Sequence, residues 1–116
     1  MRRTNNRNNR VHQVFQWLLY EFPHDGVVRM RCPKVMPKDY QGCHGVCCWN
    51  DKSEVMIWIA PTNKSMAIST LLHEYAHVLT DGRGSAEGHG TEFYETMGQI
   101  ERAFYYGGGQ KDSKEY

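Results

Sequence analysis

Between Met66 and Leu79 the chain is almost wholly apolar, yet it carries His73, Glu74 and His77. That conflict restricts the fold more than any other feature of the sequence. Met66, Ile68, Leu71, Leu72, Tyr75, Ala76, Val78 and Leu79 surround most of a helical circumference, which describes a buried helix with Asn63 or Ser65 as its N-cap. Polar side chains carried into such a helix are costly unless something satisfies them.

The spacing names what could. His73 and His77 stand at i and i+4, one turn apart on one face, so two imidazoles can address a single ion. With Glu74 after the first, the pattern is H-E-x-x-H. Six histidines and eight glutamates in 116 residues yield roughly 0.02 such matches by chance, and the apolar helical setting favours a metal site. Zinc binds neutral imidazole at about 2.0–2.1 Å, and its catalytic sites keep three protein ligands and one open position. Glu74 can reach water at that position without ligating, which is the place of a general base.

A third ligand must come from downstream, where Asp81, Glu87, His89, Glu92 and Glu95 stand. Asp81 lies a further turn from the ion, roughly 6 Å along the axis, and better suits orienting a ligand histidine. His89 stands near the end of a loop, Asp81 to Gly90, that holds four glycines. It heads the last helix on the stripe of Phe93 and Met97, and Glu92 is its main rival.

Elsewhere the periodicities describe an α+β domain. Val11, Val14, Phe15, Leu18, Leu19 and Phe22 form one face of an N-terminal helix that Pro23 ends. Gly26 to Cys32 alternates as a half-buried strand, and Gly45–Trp49 and Glu54–Ala60 flank the turn cluster Asn50 to Ser53 as a hairpin. The expected sheet is small, about three strands, and mostly antiparallel. Phe93, Met97, Ile100 and Phe104 give the last helix a single apolar stripe, closed by Gly107 to Gly109.

A chain of 116 residues closes one core. We expect a flexible basic arm over residues 1–10, a folded domain over 11–106 and a disordered tail over 107–116. The net charge of +1 gives no general reason for a polyanionic partner. Arg2, Arg3, Arg7 and Arg10 crowd the arm, however, and could contact DNA weakly. No apolar run approaches a membrane span or a signal peptide, so a cytoplasmic monomer is expected, in the host cytoplasm if the protein is viral. Cys32, Cys43, Cys47 and Cys48 read as reduced free or core thiols; a second zinc site using Cys43, His44, Cys47 and Cys48 is the weaker alternative. His12 and His24 read as surface histidines.

His73-Glu74-Tyr75-Ala76-His77, a polar loop, and then His89-Gly90-Thr91-Glu92-Phe93 with Met97 beyond resemble the SprT-like metallopeptidases, whose signature pairs HExxH with a later HGxxF. The resemblance implies a minimal zincin-type domain with an active-site helix and a C-terminal ligand helix. It also implies that His89 is the third zinc ligand, that Gly90 allows close backbone approach, and that Phe93 and Met97 pack the ligand helix beneath the metal. Larger members digest proteins crosslinked to DNA through added nucleic-acid-binding segments. This chain departs from those members in showing no zinc ribbon or long DNA-binding extension after its last helix, which counts against a role in crosslink repair.

The function expected is therefore zinc-dependent hydrolysis of protein or peptide substrates, with Glu74 as base and one zinc held by His73, His77 and His89. Tyr40, Tyr75 and Tyr94 are the candidate oxyanion donors, and the substrate is expected to add as a strand along Glu54–Ala60. The alternative is a non-catalytic nucleic-acid-binding or protein-binding module on the same scaffold, with Trp49 or Trp58 stacking on bases.

Overall fold

The computed structural model describes residues 6–50, 54–80 and 89–107. Its elements run α1 (Asn6–Glu21), β1 (Val28–Arg31), a 3-10 turn (Lys38–Tyr40), β2 (Gly45–Trp49), β3 (Val55–Ile59), α2 (Lys64–Thr80) and α3 (Thr91–Tyr106). The outcome is the small α+β domain that the periodicities predict.

The sheet departs from expectation in one respect that matters. Its order is β1-β3-β2, with β1 parallel and β2 antiparallel to β3. The sheet is mixed rather than mostly antiparallel, and β3 lies in its centre, so Glu54–Ala60 offers no edge for a substrate strand. Alternation reveals which face of a strand is buried but not its neighbours, and the hairpin returned β3 to the middle. Register lines Met30, Ile57 and Cys47 across one face, with Arg29, Met56 and Cys48 on the other. The helices cover the first face, where Val55, Ile57 and Ile59 are buried.

Helix α2 is the centre of the molecule and packs against α1, α3, β2 and β3. Asn63 caps it, its side-chain oxygen accepting the Met66 N–H at 2.8 Å. Ala67, Ile68, Leu71, Leu72, Tyr75, Ala76 and Val78 are all buried, but Met66, read as apolar cover, is 45% exposed in the first turn. The buried faces of α1 (Val11, Val14, Phe15, Leu18) and α3 (Phe93, Ile100, Phe104) close over it. Trp17, outside the predicted stripe, is buried as well, edge-on to Phe22 and Phe104.

Helix α1 starts at Asn6, earlier than the predicted Val11. Arg10 is only 8% exposed, and its guanidinium donates to Gln13 Oε1 at 3.4 Å. It packs against the domain and is withdrawn from the arm expected to meet DNA, because a long stem can bury along an apolar surface. Arg2, Arg3, the Arg7 side chain, residues 51–53 of the turn and the tail from Gly108 lie outside the described residues. Among the described residues no helix is long and apolar enough to cross a membrane.

Two truncations check this core. Ile57→Ala, at a fully buried site on the central strand, is expected to cost about 2–5 kcal/mol. Met66→Ala should stay within about 0.5 kcal/mol of the parent. Urea unfolding of both variants measures the difference, and equal costs would contradict the described packing.

Candidate metal centre

His73 and His77 project from one face of α2, and His89 reaches them from the residue before Gly90, the N-cap of α3. The three offer ligand atoms within 4.8 Å of one another, the single group among the described residues able to hold a metal ion. Nε2 of His89 lies 3.0 Å from Nε2 of His77. Nitrogens around one tetrahedral ion stand about 3.3 Å apart, given bonds of about 2.0–2.1 Å. The cluster therefore needs little rearrangement to hold one ion.

Phe93 holds the arrangement from below. Its buried ring stacks on His77 with centroids 4.5 Å apart and 30° between planes. It also meets His73 edge-on at 5.1 Å and His89 at 4.8 Å. One aromatic side chain at the start of α3 thus touches all three imidazoles and fixes where α3 crosses α2. Met97, four residues on, is half-buried against the core.

Desolvation suits these groups to ligation. Burial, assisted by the charge of His89, holds His73 below the usual imidazole value. His77 is pushed down to about 4 by burial and then by the charges of His73 and His89. Both are neutral at pH 7, the form in which a ring nitrogen offers its lone pair to a metal.

Glu74 is 8% exposed, and burial pushes its carboxyl up to about 7. Among the described residues no hydrogen-bond donor to it is found, and desolvation alone raises it. A buried acid in that state needs a reason, and proximity to a reacting proton is one. Its stem packs under β2: a Cβ built on Gly45 would come within 3.2 Å of Glu74 Cγ.

The other candidates fall apart from the cluster. Glu92 is exposed on the first turn of α3 and takes no part in the histidine group. Asp81 and Glu87 lie outside the described residues. Tyr75 is excluded as an oxyanion donor, because its hydroxyl donates to the Phe22 carbonyl at 2.6 Å and burial pushes it up to about 12. Tyr40 accepts a hydrogen bond from Cys48 Sγ at 3.0 Å, on the sheet face turned from the helices. Tyr94, 63% exposed, places its ring 6.3 Å from that of His89 and 5.4 Å from that of Phe93. It is the tyrosine that adjoins the site, which spacing alone could not reveal.

A cysteine metal site is not formed among the described residues. Cys47 and Cys48 point to opposite faces of β2, and none of the four cysteines forms a disulfide among the described residues. His12 is exposed, and His24 is half-buried, accepting the Gly26 N–H at 3.1 Å.

Burial of Glu74 has a pH signature in chelator-treated protein. The folded value lies above the ordinary 4.5, so the folded state favours the protonated acid. The resulting penalty is absent below pH 4.5 and complete above about pH 7. Glu74→Gln is expected to stabilise the metal-free chain at pH 8 by on the order of 3 kcal/mol and to change little at pH 4. Thermal unfolding at the two pH values tests this, and equal effects would refute it.

The sequence model of the SprT-like family matches residues 11–114. Comparison with the curated proteins and with the solved structures gives no match. The matched span holds every element from the first buried turn of α1 to the end of α3, including the three histidines and Glu74. The chain belongs to the SprT-like family.

Proposed function

We propose that this protein is a zinc-dependent endopeptidase in which His73, His77 and His89 hold the metal and Glu74 is the general base. One observation carries the reading: a buried carboxylate with no hydrogen-bond donor among the described residues lies between two histidines that converge with a third. Family membership supports it. A non-catalytic metal site would have no use for an acid held there against the cost of burial.

His73, His77 and His89 would hold the zinc ion, which would supply a Lewis acid to acidify water and polarise the scissile carbonyl. Glu74 takes a proton from the attacking water as its oxygen bonds to the carbonyl carbon. As the C–N bond breaks, Glu74 returns that proton to the leaving amine. An acid raised to about 7 is suited to both transfers near neutral pH. Tyr94, on the exposed side of His89, is the proposed donor to the developing oxyanion.

The proposed substrate is an extended segment of a protein chain laid along β2. Among the described residues β2 pairs only with β3. The Ala60 N–H donates to the His44 carbonyl at 2.9 Å, and the Asn50 N–H to that of Glu54 at 3.0 Å. In an antiparallel ladder this phase turns the main-chain groups of Gly45 and Trp49 away from β3, towards the open edge. Gly45 lies beside Glu74, so a strand added there passes the base. Main-chain pairing reads no side chains and predicts loose sequence preference.

Glu74→Gln is expected to retain one zinc per chain while cleavage of casein falls at least 100-fold. Unchanged cleavage would remove the peptidase reading. His89→Ala should weaken zinc binding by more than 10-fold, whereas Glu92→Ala should leave it intact. The reverse result in competition with a chromogenic chelator would make Glu92 the ligand.

A further inference from the structure

Strand β2 passes α2 at Gly45, where a side chain has no room. A Cβ built there would overlap the Cγ2 methyl of Thr70 and lie 3.2 Å from Glu74 Cγ and 3.3 Å from the Trp58 carbonyl oxygen. Its backbone has ordinary negative φ, so the demand is for space and not for a glycine-only conformation.

The walls of this gap differ in what they can yield. Trp58 belongs to β3, which is held by β1 on one side and by β2 on the other, in register with Gly45 opposite Ile59. A retreat of β2 towards β3 is therefore blocked by backbone. Thr70 is buried and β-branched, and its χ1 has few alternatives within a helix. Glu74 stands one turn after Thr70 on the same face of α2, and its unbranched stem is the wall with torsional freedom. Strain entering at residue 45 is relieved where Thr70 is displaced and where the Glu74 side chain swings.

We infer that Gly45 is a positioning residue: its missing side chain lets β2 press directly on Thr70 and on the stem of Glu74, and that contact sets where the catalytic carboxylate stands. The inference rests on Glu74 acting as base, as proposed above. The three atoms nearest to such a Cβ belong to Thr70, Glu74 and Trp58 and to none of the histidines, so metal binding and proton transfer are expected to separate at residue 45.

A displacement of about 1 Å in a catalytic group can cost on the order of 100-fold. Gly45→Ala is thus expected to keep its zinc stoichiometry and to lower kcat for a fluorogenic peptide about 10- to 100-fold, with KM changed less than about 3-fold. Removing the methyl that a Cβ would strike should reverse this: Gly45→Ala combined with Thr70→Ser is expected to return kcat to within about 3-fold of Thr70→Ser alone.

Activity of Gly45→Ala within about 2-fold of the parent would overturn the inference, as would failure of Thr70→Ser to restore a lowered kcat. Should Gly45→Ala fold poorly, the double variant decides alone. Recovery of fold and kcat together supports the contact, and a folded, zinc-loaded but inactive double variant overturns it. Glu74→Gln assayed beside them separates the two claims: if it cleaves normally the peptidase reading fails, and if it is inactive while Gly45→Ala is normal only the positioning role fails.

Discussion

The contact of Phe93 with the three histidines is the interaction on which the site depends. His73 and His77 owe their relation to helix geometry alone, but His89 belongs to another element and meets them only because α3 docks on α2. Phe93 stacks on His77, touches the other two rings and is itself buried, so the same contact secures the helix crossing and assembles the cluster. Ile100 and Phe104 extend that docking along α3, and Trp17 of α1 closes on Phe104 at 5.6 Å. Core packing and site assembly are in this sense one event.

The same burial tunes the chemistry. Taking the His73 and His77 imidazoles and the Glu74 carboxyl out of water favours the neutral form of each, and their shifts all run in that direction. Neutral histidines suit ligation and an acid near neutrality suits reversible proton transfer. Burial is thus the leading cause of all three shifts, with the neighbouring imidazoles adding to those of His73 and His77. The strain of holding polar groups in an apolar helix is offset by the surrounding core, where Leu71, Leu72, Tyr75 and Val78 are almost fully buried.

Much of this was legible in the residues. The H-E-x-x-H spacing implies convergence because i and i+4 share a helix face, and the stripe of Phe93, Ile100 and Phe104 marks the docking surface of α3 directly. The bounds of β2 and β3 and the Asn63 cap follow from alternation and from local hydrogen-bonding chemistry. What could not be read depends on contacts remote in sequence. The parallel pairing of β1 placed β3 in the centre and moved the open edge to β2. The role of Tyr75 turned on a carbonyl in Phe22, and Arg10 joined α1 because the helix begins before its apolar stripe. Gly45 carried no signal at all, since the space it leaves becomes visible only with Thr70 and Glu74 facing it.

X-ray absorption at the zinc edge of the purified, full chain addresses the central claim most directly. The account predicts one zinc per chain whose nearest shell consists of light N/O atoms at about 2.0–2.1 Å, with the multiple-scattering pattern of about three imidazoles. A chain that neither carries nor takes up zinc, or a shell dominated by sulfur near about 2.3 Å, would contradict it.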